Sequence, residues 1–136
     1  MTRYLLDTDT IVDYLKGISS TIAVIQQLGQ QGHQLYTCAV VECEVASGLG
    51  PQQRAQAEQL LDAFEYLPAS REAARKAGGW RGAFRSKGVQ LATTDCLIAA
   101  MAVAHGAVIV TGNVRDFPMS ELTLQPLPRV QGGSPR

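Results

Sequence analysis

The run AVIVT, residues 107–111, is apolar at every position up to its closing threonine. Such a run has no polar face to turn to water. As a strand it has to be covered on both sides, the condition of a central strand in a parallel sheet. Shorter strand-like runs stand at RYLL (3–6), QLYT (34–37) and EYLP (65–68), and LTLQP (122–126) reads as a last edge strand ended by Pro126. Helical spacing fills the intervals. Residues 9–16 end at Gly17, and SSTIAVIQQLGQQGH opens on a serine cap. AVVECEVASGL (39–49) is stopped by Gly48, Gly50 and Pro51, and that proline opens a helix with Ala55, Leu60, Leu61 and Phe64 on its apolar side. Residues 70–86 form a basic helix weakened at Gly78-Gly79, and TTDCLIAAMAVAHG (93–106) is the last helix. Strands alternating with helices predict an α/β fold with a mainly parallel sheet. One domain is expected over residues 1–125, followed by a Pro/Gly-rich tail, 126–136, with the composition of a disordered segment.

Twelve basic and twelve acidic side chains cancel, so no global charge draws the chain to nucleic acid or to an anionic membrane. No apolar window is long enough to cross a bilayer, and the N-terminus enters a strand pattern without a signal-peptide layout. Cys38, Cys43 and Cys96 are an odd count without CxxC spacing. They read as reduced, buried, small apolar residues of a cytoplasmic protein. His33 and His105 each adjoin a glycine near a helix end and have no partner at zinc-ligand spacing.

In parallel α/β sheets, ligands gather outside the carboxyl ends of the strands. Asp7 and Asp9 follow the first strand there, and Thr8 or Asp9 is the expected cap of the first helix. TGNVRDF (111–117) follows the AVIV strand with Asn113 and Asp116, and Asp95 opens the helix before it. Glu44 lies on a helical stripe with Val40, Val41 and Gly48, costly for a carboxylate unless paired or metal-bound. Glu42 also has apolar helical neighbours, and periodicity does not choose between the two. Several carboxylates without His or Cys suit Mg²⁺ or Mn²⁺ rather than Zn²⁺, and hence phosphoryl chemistry. No GxxxxGK[ST] run is present.

Half of the basic residues crowd one segment: Arg71, Arg75, Lys76, Arg81, Arg85 and Lys87. Arg75, Arg81, Arg85 and Lys87 are the candidate contacts to an RNA backbone, with Trp80 and Phe84 interleaved as stacking platforms. The competing reading is a solvated helix face with both rings in the core.

Together LLDTDTIVDYL (5–15), VVECEVASGL (40–49) and TTDCLIAAMAVAHGAVIVTGNVRDF (93–117) resemble a PIN domain of the VapC type of toxin ribonuclease. The resemblance runs from Arg3 to about Leu124. It implies a three-layer α/β/α fold and an endoribonuclease whose acid quartet, Asp7, Glu44, Asp95 and Asp116, holds Mg²⁺ or Mn²⁺. It chooses Glu44 over Glu42, and makes Thr8, Asp9, Thr111 and Asn113 supporting polar residues. The position of Asn113 can carry an acid in relatives, which leaves Asn113 and Asp116 both open as the fourth ligand. It further implies an RNA substrate, a homodimer, and a VapB-type antitoxin whose C-terminal segment lies across the active groove. Two rivals stand beside it. LLDTDTIV nearly matches the opening of haloacid-dehalogenase-like phosphatases, although no paired acids follow the late strand. A non-catalytic PIN-fold module binding RNA or protein is the other, and the acids argue against it, because they repel phosphate.

Overall fold

The computed structural model describes residues 1–128. Five strands form one sheet: β1 (Arg3–Leu6), β2 (Gln34–Cys38), β3 (Glu65–Leu67), β4 (Ala107–Thr111) and β5 (Leu124–Pro126). Their order across the sheet is β3-β2-β1-β4-β5, and every pairing is parallel. The helices are α1 (Thr8–Leu15), α2 (Ser19–Gln30), α3 (Ala39–Ser47), α4 (Pro51–Asp62), α5 (Arg71–Ser86) and α6 (Thr93–Ala104). The parallel α/β architecture expected from the alternation is present.

Burial explains why the central strands are so apolar. Successive strand residues point to opposite faces. Leu5 and Leu6 of β1, and Ile109 and Val110 of β4, are all without exposure to solvent. Both faces at the centre of the sheet are therefore covered, the three-layer arrangement that AVIVT demanded. The chain winds from β1 outward through β2 to β3, then returns across the sheet to β4 and β5. The order reverses between β1 and β4, whose register pairs Leu6 with Val110. A crevice opens at the carboxyl ends of strands at such a reversal. Asp7 follows one of these ends, and the turn beyond Thr111 follows the other.

Local chemistry departs from expectation at several places. Asp7 itself is the N-cap of α1 and accepts from the Thr10 N–H, so neither Thr8 nor Asp9 caps. Helix α2 starts after Ile18 without a side-chain cap; Ser19 and Ser20 fall inside its first turn. On α4 the fully buried positions are Ala57 and Leu61, whereas Ala55 is exposed. Helix α5 runs unbroken through Gly78-Gly79, with Ser70 capping the Ala73 N–H. Its small residues face α6, where Ala73 and Ala77 are buried. Cys43 is exposed, unlike Cys38 and Cys96, and all three are free thiols. Strand β5 begins two residues later than the LTLQP run suggested. Leu127, assigned to the tail by composition, is buried and donates its N–H to the Thr111 carbonyl at 2.8 Å. Residues 129–136 of the expected disordered tail lie outside the described residues.

Candidate active site

Five acids surround the reversal point. Asp7 is the deepest, 4 % exposed. The Thr10 hydroxyl lies 2.5 Å from its Oδ1 and 2.9 Å from the Val110 carbonyl. One hydroxyl proton serves one acceptor at a time, so Thr10 ties the end of β1 to the end of β4 through a shared proton. Burial raises the Asp7 pKa; the hydroxyls of Thr10 and Thr111 and the Thr10 N–H counter it, and Asp9 adds repulsion.

Glu44 comes in from α3. The Thr8 hydroxyl donates to its Oε1 at 2.6 Å, across the contact between α1 and α3. Glu42, two residues earlier, turns the other way. Burial raises its pKa, as do Asp62 and Glu58 of α4. It lines a small recess with Val45, Arg54, Ala57 and Leu61. A helix places residues two apart on different faces, and here only Glu44 joins the acids.

Asp95 stands in the first turn of α6, whose N-cap is Ala92. Its pKa is pushed up to about 7, first by burial and then by Asp116, Glu44, Asp7 and Asp9 in turn. All four of the other acids are thus felt by one carboxylate. Asp116 is exposed on the short 3₁₀ turn Val114–Asp116. Partial desolvation of its carboxylate raises its pKa, Asp9 raises it further, and Arg115 tempers both. Asp9 is held by Asn113, whose Nδ2 donates to Oδ2 at 2.6 Å, and the Asn113 N–H donates to the Thr111 hydroxyl at 2.9 Å. Thr8, Asp9, Thr111 and Asn113 all bond within this network, and Asp7, Glu44 and Asp116 lie close enough to Asp95 to raise its pKa. Sequence reasoning left Thr10 out. Its signal was available: a threonine three residues after an N-cap Asp is the residue whose N–H the cap takes up.

The five acids supply oxygen donors without nitrogen or sulfur, the chemistry of a Mg²⁺ or Mn²⁺ site. Among the described residues no Lys or Arg forms an ion pair with any of them. Nor, among the described residues, do three acids stand where they could hold one ion as placed. Mutual repulsion and the hydrogen bonds explain that spacing: Asp7 is turned to Thr10, Glu44 to Thr8 and Asp9 to Asn113. The donor set fits a hard cation, and its side chains would have to draw together around one.

The basic helix separates into two groups. Arg75, Arg85 and Lys87 are exposed. Arg81 is half-buried, and its Nε donates to the Leu91 carbonyl at 3.1 Å, bracing the segment that leads into α6. Trp80 donates to Glu121 at 3.1 Å, Lys76 pairs with the same carboxylate at 2.6 Å, and the Lys76 ammonium sits 5.1 Å from the Trp80 ring centre. These contacts bind α5 to the segment before β5 and leave Trp80 half-buried. Phe84 is half-buried as well.

Comparison with known proteins agrees with this architecture. The PIN domain family model matches residues 4–118. Ribonuclease VapC19 of Mycobacterium tuberculosis is 30 % identical over 115 residues, 85 % of this chain and 92 % of that protein. Ribonuclease VapC10 of the same organism is 30 % identical over 132 residues, 97 % of this chain and 98 % of the other. Among solved structures, a VapBC complex of Salmonella typhimurium bound to DNA aligns with a TM-score of 0.79 at 25 % identity, covering 93 % of this chain and 98 % of that one. FitAcB of Neisseria gonorrhoeae aligns at 0.74 and 22 % identity, covering 89 % and 95 %. The match over most of the chain sets the dehalogenase-like reading aside: this chain belongs to the PIN-domain family, with the ribonucleases named VapC among its relatives.

Proposed function

We propose that this chain is a metal-dependent endoribonuclease, the toxin of a VapBC-type toxin–antitoxin pair. The observation that supports it most is the gathering of Asp7, Asp9, Glu44, Asp95 and Asp116 at the reversal of strand order, with no ion pair to any of them among the described residues. Such a cluster is self-repelling and gains from bound positive charge. A domain that only held RNA would gain nothing from it. The names of the relatives point to the same chemistry.

Asp7, Glu44, Asp95 and Asp116 would hold Mg²⁺ or Mn²⁺. When bound, the cation supplies charge neutralisation of the phosphodiester and activation of water for in-line attack at phosphorus. The protein's own part is positional. Asp7 is fixed by Thr10 and by the helix end it caps, and Glu44 is fixed by Thr8. The Asp95 carboxyl group has its pKa pushed up to about 7 by burial and by its acidic neighbours. Arg75 and Arg85 of α5, and Lys87 at its C-cap, are exposed to grip the RNA backbone. Arg81 serves the fold more directly, through Leu91. The partners are an RNA substrate, a VapB-type antitoxin and a second copy of the chain. Among the described residues no helix is long and apolar enough to cross a membrane, and a cytoplasmic site of action is part of this reading.

Purified protein, incubated with a structured RNA, should cleave it with Mg²⁺ or Mn²⁺ and stop with chelator. Asp7→Asn and Asp95→Asn should each abolish measurable cleavage. Equal cleavage in chelator, untouched by either substitution, would overturn the proposal.

A further inference from the structure

Asp116 is an exposed side chain on a three-residue turn. Packing of its own cannot place it, so its position depends on what anchors the turn. Phe117, buried, anchors one end. Asn113 anchors the other, through its N–H, its backbone carbonyl and its side-chain Nδ2. Its N–H donates to the Thr111 hydroxyl at 2.9 Å, its carbonyl accepts from the Asp116 N–H at 3.0 Å, and its Nδ2 donates to Asp9 Oδ2 at 2.6 Å. Asn113 is 7 % exposed, so its amide is directed into the protein. The bond to Asp9 is charge-assisted, and it joins the first turn of α1 to a segment 104 residues further along the chain.

We propose that Asp9 and Asn113 form an acid–amide clamp, with Asn113 a positioning residue that holds the Asp116 turn over the acid cluster. The inference rests on the nuclease reading for the importance of Asp116, while the clamp itself is a statement about the fold. A clamp needs one acid and one amide, and it is indifferent to which side carries which. Asn113→Asp alone sets two carboxylates against each other at a hydrogen-bond separation. Asp9→Asn with Asn113→Asp restores the bond with its polarity reversed and keeps the charge count of the site. An Asn113 that instead contacts substrate gains nothing from such an exchange.

The test is a cycle of four proteins: wild type, Asn113→Asp, Asp9→Asn and the exchanged pair. Each is melted without metal and assayed for RNA cleavage. Asn113→Asp should lower Tm by about 5 °C or more when residue 9 is Asp. When residue 9 is Asn, the same substitution should leave Tm unchanged or raise it. In the assay Asn113→Asp should cut kcat by about 10²-fold through misplacement of Asp116, with KM held within about threefold. The exchanged pair should recover kcat to within about tenfold of wild type. Equal losses of Tm from Asn113→Asp in both backgrounds would overturn the clamp, as would a raised KM with kcat preserved. Should Asn113→Asp fail to fold, the alanine cycle at the two positions replaces it: strictly additive losses then count against the clamp and non-additive losses for it. A wild type that cuts no RNA removes the nuclease reading, and the melting cycle still decides the clamp.

Discussion

Asp95 carries opposing forces that can be weighed. An acid in the first turn of a helix gains about 0.3–1 kcal/mol from the helix dipole, and that gain lowers its pKa. The pKa nevertheless rises to about 7, because burial and four acidic neighbours outweigh the dipole. A carboxyl group with a folded-state pKa above its unfolded value holds more protons in the folded state. Stability then falls as pH rises through the window between about 4 and about 7. In chelator the protein should accordingly melt higher at pH 5 than at pH 8, and millimolar Mg²⁺ should raise Tm most at pH 8. A metal-free melting curve that rises from pH 5 to pH 8 would remove this account. Asp95→Asn deletes the charge while the cap at Ala92 is untouched. It should melt at or above wild type in chelator at pH 8, flatten the pH dependence, and lose most of the Mg²⁺-induced rise. A residue with only a first-turn role predicts the reverse: a slightly less stable variant and no Mg²⁺ effect in either protein.

At the scale of elements, α5 has two separable jobs. Arg75 and Arg85 are exposed. If they meet phosphate, Arg75→Ala with Arg85→Ala should shrink the slope of log K against log salt by about 0.7 per lost contact. Binding assays across a salt series measure this, and an unchanged slope returns the helix face to plain solvation. Arg81→Ala is expected to act on stability, since it removes the bond to the Leu91 carbonyl that braces the start of α6. Its melting temperature should drop while the salt slope holds. Strand β5 supports the site from the other edge. Leu127 is buried, and its N–H satisfies the Thr111 carbonyl at the end of β4. Leu127→Ala should cost about 2–5 kcal/mol by urea unfolding, the range for emptying a buried leucine site. A loss under about 0.5 kcal/mol, typical of surface positions, would place Leu127 outside the core.

For the whole molecule, the relevant quantity is charge distribution rather than total. Twelve positive and twelve negative side chains cancel, yet five acids lie around the reversal between β1 and β4, and the exposed basic residues of α5 lie along another element. On the proposed toxin–antitoxin reading, an antitoxin segment that covers these acids should carry basic groups to complement them. Co-expressed with such an antitoxin, the chain should purify as a complex that does not cut RNA, and cutting should appear once the antitoxin is removed. Light scattering of the chain alone is expected to read twice the mass of one chain. A monomer would exclude the homodimer.

The sequence alone determined the class of fold, because an apolar run such as AVIVT cannot be stable with a wet face and a parallel neighbour requires a crossover helix. It also placed Asp7 and Asp116 just after strands and Asp95 at the start of the helix before β4, since chain order and element ends are local information. Tertiary structure decided where side chains point. Glu42 and Glu44 share a helix and similar neighbours in sequence, and only the packing of α3 between α1 and α4 sends one toward Thr8 and the other toward Glu58 and Asp62. Arg81 and Arg85 belong to the same basic run, but only Arg81 reaches the Leu91 carbonyl. Leu127 reads as tail by composition, yet its side chain joins the hydrophobic core and its N–H satisfies the Thr111 carbonyl at the end of β4. Asp9 and Asn113 form a bond across 104 residues, a separation that no local periodicity spans. The physical reason is common to all four: hydrogen bonding and burial depend on three-dimensional neighbours, and the neighbours exist only once the sheet has ordered its strands.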